Sequence, residues 1–340
     1  MGKVSLGDLT KKSYEQGKRL VAPLVGFPGV NLVNSSIKLA QQNYGEHFKV
    51  IEKIVQTFSP DVIFPLMDLS VEANAVGRYT VFPKYDSATV PKDSFSIDEL
   101  EKLREIDISR DMRLLGYVKT LEMMSENLPA SIVKGAYITG PYTLSALIMG
   151  ADNAAMATIL ENVKLHRLTQ FAAEKIKQYS ELLINAGADL ICILEPTAVM
   201  LGPDQFEEFS SNYIKNIIDV CSKRGVSTIY HTCGNTMYLI EKMAESGVNG
   251  LSLDSKEVGV GLEKVAERVP ESITVIGNIS PIHNMLNGTP EDVKRDVFEL
   301  LTKMNKYPNF ILSTGCDLPQ ETPIKNIHSF MKAGRDFVIN

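Results

Sequence analysis

The sequence predicts a single-domain α/β protein, a (β/α)8 or TIM barrel that takes in the whole of residues 1–340. Three observations predict it. Eight short apolar runs alternate with helical patterns, and no low-complexity linker divides them into two domains. Polar residues with chemical potential (Asp68, Tyr142, Glu195, His231, Cys233, Asp254, Asn278 and Cys316) fall at or just past the C-terminal ends of different runs. A closed barrel brings those ends to one mouth, whereas an open doubly wound sheet, the alternative, strings them along an edge.

The runs come in order. Residues 6–20 read as an N-terminal amphipathic helix, and residues 21–26 as strand one, stopped by Phe27-Pro28-Gly29. A helical pattern over 35–58 leads to the second run, 61–68, which ends on Asp68. Residues 78–130 form an irregular excursion in which 96–126 look helical. The third run, 131–138, closes on Thr139-Gly140-Pro141-Tyr142, and helical sequence continues to Ala186. The fourth, 189–195, is stopped by Pro196, and a helix opens near Pro203-Asp204. Residues 226–230 form the fifth and lead into His231 and Cys233; the sixth, 249–254, follows a helix closed by Gly247. The seventh is 273–278 and the eighth 310–316. Between them Thr289 is placed as an N-cap, with Pro290 at the first helical position and Asp292 at the third.

Composition narrows the function. A chain of 340 residues buries roughly three quarters of its unfolded surface. A hydrophobic share of 44% with a net charge of −6 leaves no basic stripe for nucleic acid. No apolar segment reaches the length of a membrane span, and residues 1–6 lack a signal-peptide core. A myristoylation motif would need Ser or Thr at Leu6. The expected compartment is the cytoplasm, where four irregularly spaced cysteines stay reduced. No Gly-x-Gly-x-x-Gly follows a strand and there is no Walker loop, so dinucleotide and P-loop chemistry lack support.

The chemistry centres on His231 and Cys233. Residues at i and i+2 share a face of a strand, so an imidazole and a thiol can reach one ion, a donor pair suited to zinc. Cys192 and Cys221 lie inside apolar or helical patterns, but Cys316 follows a strand, as Cys233 does, and is the expected third ligand. One neutral His and two thiolates cancel a +2 charge and leave an open position, the pattern of a catalytic site. Asp254, on the next strand, is a candidate displaceable fourth ligand, or else a loop or capping residue. Glu195 and Tyr142 are candidates for orienting substrate or donating a proton, the alternatives being a turn cap and a packing residue. A lone His-x-Cys pair also arises by chance, and buried cysteines are commonly inert.

These residues carry a resemblance. His231-x-Cys233 with the distant Gly315-Cys316, Ile276-Gly277-Asn278-Ile279-Ser280-Pro281, residues 64–73, Thr139-Gly140-Pro141-Tyr142-Thr143, and Leu318-Pro319 with Thr322-Pro323 resemble segments of the zinc-dependent, corrinoid-linked methyltransferases of the uroporphyrinogen decarboxylase superfamily, among them the coenzyme M methyltransferases. The resemblance runs over most of the chain and implies a TIM barrel. It implies methyl transfer between a small substrate and the cobalt of a corrinoid (cobalamin) carried by a partner protein, with Zn2+ at His231, Cys233 and Cys316 and substrate contacts at Asp68 and Asn278.

The resemblance leaves direction open. Methyl passes either from a methoxylated compound, such as an aryl methyl ether, to cobalt, or from methylcobamide to a thiol; the unfamiliar N-terminal third tilts the expectation toward the demethylase direction. Uroporphyrinogen decarboxylase itself is a poorer match, because its Arg-rich N-terminal segment is missing, although Asp68 falls near its functional Asp. A non-catalytic, zinc-bearing adaptor for a corrinoid protein is the remaining alternative.

Overall fold

The computed structural model describes residues 5–83, 86–92 and 95–339. Seven strands, β1 (Val62–Ile63), β2 (Val133–Thr139), β3 (Leu190–Leu194), β4 (Ser227–Thr232), β5 (Gly250–Leu253), β6 (Thr274–Ile279) and β7 (Phe310–Thr314), pair in parallel in their sequence order. Parallel neighbours need crossover connections, which helical segments supply here. The strands are buried almost throughout because one face meets the helices and the other faces inward, so they read as continuous apolar runs rather than alternating ones.

The expected first strand is the main departure. Residues 21–26 make one parallel bridge, Val21 to Leu312, and no strand of their own. Pro23 has no N–H to give a ladder, and Leu24 N donates to the Thr314 hydroxyl at 3.0 Å instead of to a backbone carbonyl. The segment nevertheless lies between the two edge strands. Ala22 N donates to Leu312 O at 2.8 Å, and Asp61 N, at the head of β1, donates to Val21 O at 3.0 Å. The second run is also shorter than expected: β1 stops before Phe64-Pro65, so Asp68 lies in the loop beyond it.

Helical stretches break where local chemistry dictates. The 35–58 pattern divides at Asn43, which leaves helical geometry and caps Tyr44–Phe58 by accepting from Glu46 N. The stretch to Ala186 is three helices, Pro141–Met149, Ala151–Leu160 and Asn162–Asn185, broken at Gly150, whose φ of 91° suits glycine, and at Glu161, whose φ of −136° leaves helical geometry. Within the excursion, 96–126 becomes short helical pieces followed by Met112–Asn127; residues 84–85 and 93–94 lie outside the described residues. Thr289 caps Pro290–Lys303 in a capping box with Asp292, as expected.

The inward strand faces form an apolar cluster that includes Leu24, Phe64, Cys192, Ile229, Ile276 and Ile311. Leu6, from the N-terminal helix Leu6–Glu15, enters this cluster, and its N–H is held by the Ser227 hydroxyl at 3.0 Å. The helix thus covers the end of the sheet opposite the C-terminal strand ends. Among the described residues no single helix is long and apolar enough to cross a membrane.

Candidate metal centre

His231 is the fifth residue of β4, and Cys233 is the first beyond it. Cys316 lies two residues past β7. Strands β4 and β7 are not neighbours, so it is the curl of the sheet that brings the three side chains together. The sulfurs of Cys233 and Cys316 are 3.2 Å apart, and His231 Nε2 lies 3.5 Å from the first and 3.7 Å from the second. A tetrahedral zinc, with Zn–S of about 2.3 Å and Zn–N of about 2.0 Å, sets its ligand atoms roughly 3.5 to 3.8 Å apart. The His/Cys/Cys set therefore fits zinc in its chemistry and in its two nitrogen–sulfur separations, while the sulfurs stand closer together than a tetrahedral ion would set them. His231 is buried, while both cysteines are half-buried. Hydrogen bonding to Cys233 and burial push the Cys316 thiol well up; a divalent cation reverses that by binding thiolate.

Two glycines let the loops approach. A Cβ at Gly315 would stand 2.7 Å from Ser255 N and 3.1 Å from Asp254 C, so only glycine lets the chain before Cys316 lie against the β5 loop. Gly234, with φ of 83°, turns the chain after Cys233 and donates its N–H to Asp254 Oδ2 at 2.7 Å. The other Asp254 oxygen accepts from Ser255 N at 2.6 Å, so this carboxylate ties the loop after β5 to the loop that carries Cys233 and stands outside the His/Cys/Cys trio. Asn278 adds to the brace: its amide donates to Asp254 O at 2.8 Å and Val260 O at 2.9 Å, beside a cavity of about 50 Å3.

The remaining candidates are also buried. Glu195 is fully buried; Thr143 N donates to its Oε1 at 2.5 Å and the Ser210 hydroxyl to its Oε2 at 2.8 Å. Burial pushes its carboxyl up to about 7. It holds the first turn of Pro141–Met149, the geometry of a cap supplied from the neighbouring strand. Tyr142 is also fully buried, its hydroxyl has no hydrogen-bond partner among the described residues, and burial pushes that hydroxyl's pKa up. Asp68 is closed in by Arg113, by the Tyr117 hydroxyl at 2.8 Å, and by Ser70 N and Oγ at 2.9 and 2.7 Å.

The uroporphyrinogen decarboxylase (URO-D) family model matches residues 36–337. The chain belongs to this family. Its similar relatives include the methylcobamide:CoM methyltransferase MtbA of Methanosarcina acetivorans, 27% identical over 245 residues that cover 71% of this chain and 69% of the relative. The uroporphyrinogen decarboxylase of Prochlorococcus marinus is 23% identical over 308 residues, covering 88% and 86%. Among solved structures, a methyltransferase from Methanosarcina mazei superposes with a TM-score of 0.83 at 20% identity over 97% of this chain and 98% of that one. A B12-independent methionine synthase from Shewanella gives 0.55 at 13% identity, covering 94% and 95%. These likenesses show the fold.

Within this URO-D chain the structure adds residues that sequence patterns passed over. Ser252, directly opposite His231 in the β4–β5 register, has its hydroxyl 3.0 Å from His231 Nδ1. Glu72 is buried and pushed up to about 7 by burial, with Thr139 N and Oγ1 donating to it. Arg113 supplies the cation for Asp68 from a helix that the sequence left inside an irregular excursion. Asp317 follows Cys316, and burial raises its carboxyl to about 7. Only a pairing register could have revealed Ser252, and one sequence does not display that register.

Proposed function

We propose that this URO-D family member is a zinc-dependent methyltransferase that moves a methyl group between a small substrate and the cobalt of a corrinoid carried by a partner protein. The observation that carries the reading is the His231/Cys233/Cys316 trio, with three mutually close donors and two half-buried thiols. Relatives named as methylcobamide:CoM methyltransferases support the corrinoid and the methyl group. The eighth barrel strand is the extended segment at residues 21–25, single-domain closure running through its bonds to both sheet edges.

Zinc held by these residues supplies Lewis acidity that keeps a bound sulfur deprotonated at neutral pH. The chain's own residues set the stage for it. His231 offers Nε2 as a neutral donor; Cys233 and Cys316 offer thiolates that balance the charge. Asp254 anchors the loop that carries Cys233, Asn278 braces the loop that carries Asp254, and in this reading neither takes part as a ligand. Asp68 with Arg113, and Glu195 with Thr143 N and the Ser210 hydroxyl, are buried pairings that fix the loop after β1 and the start of Pro141–Met149. A soft, charge-neutral centre favours a thiol as the methyl acceptor, and transfer from an aryl methyl ether is the second arm of the test. Decarboxylation is disfavoured because residues 21–36 carry no Arg or Lys to grip a polycarboxylate, and Arg113 is already engaged by Asp68.

The test is incubation of the zinc-loaded protein with methylcobalamin and a panel of thiols, and with Co(I) cobalamin and a panel of aryl methyl ethers, following the corrin spectrum. Thiol-dependent loss of methylcobalamin is expected. No zinc-dependent spectral change in either arm overturns the methyltransferase reading.

A further inference from the structure

We infer that Ser252 is a positioning residue for the metal centre: its hydroxyl oxygen accepts the Nδ1 proton of His231 and thereby commits the Nε2 lone pair to the cation. The inference rests on the zinc reading above but concerns a residue outside the ligand set. Parallel pairing of β4 with β5 places Ser252 beside His231, and Oγ lies 3.0 Å from Nδ1 while Nε2 points at both sulfurs. A neutral imidazole has one N–H and one lone pair. Were the serine to donate to Nδ1, the proton would sit on Nε2 between the two thiols, where it would block a cation. Metal ligation through Nε2 therefore requires the serine to accept.

The choice of a hydroxyl has a consequence for charge. Metal-bound histidines are commonly oriented by a carboxylate, which makes the ring a stronger donor and adds negative charge. Ser252 orients the ring without charge, so two thiolates and a neutral imidazole would balance a divalent ion with no further negative charge at the centre. The surroundings fit an uncharged partner. Ser252 is 2% exposed and borders a small cavity whose other walls include Leu24, Cys192, Ile229 and Ile276. A carboxylate there would be buried against apolar side chains at heavy cost.

The experiment measures zinc affinity by competition with a chromophoric chelator for the wild type, Ser252→Ala and Ser252→Thr, together with 15N spectra of His231 in the zinc-loaded wild type. Ser252→Ala is expected to lose roughly ten- to a hundredfold in zinc affinity, and Ser252→Thr, which keeps the hydroxyl, to recover most of it. The 15N spectra should show a protonated Nδ1 and a metal-bound Nε2. Unchanged affinity in Ser252→Ala, or a ring bound through Nδ1, overturns the inference while leaving the zinc site standing. A wild type that binds no zinc overturns both. If Ser252→Ala fails to fold, the wild-type spectra still decide between the two tautomers.

Discussion

His231, Cys233 and Cys316 each supply one of three donors, so losing any one leaves too few protein ligands to hold the ion firmly. The purified protein is expected to hold about one zinc, and His231→Ala, Cys233→Ser and Cys316→Ser each to fall far below that by metal analysis. Cys192→Ser should keep it, because Cys192 lies in the apolar cluster; burying its hydroxyl costs about 1–3 kcal/mol of stability. Zinc loss in that variant would mean that the trio is wrongly drawn. Glu195 makes a second prediction at this scale. Its folded-state pKa of about 7 lies above the unfolded value near 4.5, so the native state binds more protons between those limits. Stability is therefore fully present below about 4.5 and is lost as pH rises toward 7. Glu195→Gln removes that titration and should flatten the decline across the window by up to about 3 kcal/mol. Denaturant unfolding of both proteins at pH 5 and pH 8 checks it; an unchanged difference would show that Glu195 ionises normally.

At the scale of elements, stability depends on how helix ends and loops are tied. Thr289 and Asp292 satisfy each other's backbone N–H groups at the start of Pro290–Lys303, and Thr289→Ala should cost about 1 kcal/mol in unfolding free energy without changing zinc content. Gly315→Ala should cost stability and zinc affinity together. The added Cβ pushes on Ser255 N and the Asp254 backbone, displacing the loop that carries Cys316. Overpacking of this kind costs about 1–3 kcal/mol, and here the strain falls on ligand geometry, so zinc affinity should drop more clearly than Tm. A Gly315→Ala protein with wild-type zinc affinity would show that the loop can move without disturbing the trio.

For the whole molecule, the inner cluster draws on β1, β3, β4, β6, β7, the 21–25 segment and Leu6. A cut between any two of these elements divides this cluster. Limited proteolysis should therefore cleave first between Arg78 and Ser96, and the nicked protein should stay associated and keep its zinc. Two separately stable halves would contradict a shared core. The same architecture explains why the mouth carries the chemistry: parallel strands all end on one side, so residues far apart in sequence share one surface.

The sequence alone determined the alternation of strands and helices, the capping box at Thr289 and the identity of the three ligand candidates, because periodicity, caps and donor chemistry are local properties written in neighbouring residues. It overstated the first strand, where Pro23 and the Thr314 hydroxyl replace ladder bonds, and ran helices together across Asn43 and Gly150. Tertiary structure alone decided that Cys316 meets His231, that both oxygens of Asp254 hold backbone N–H groups, that Glu195 is sealed beneath a helix, and that Ser252 faces Nδ1. Those facts depend on strand register and sheet curl, which arise from the packing of the whole chain and have no signature in any short stretch of it.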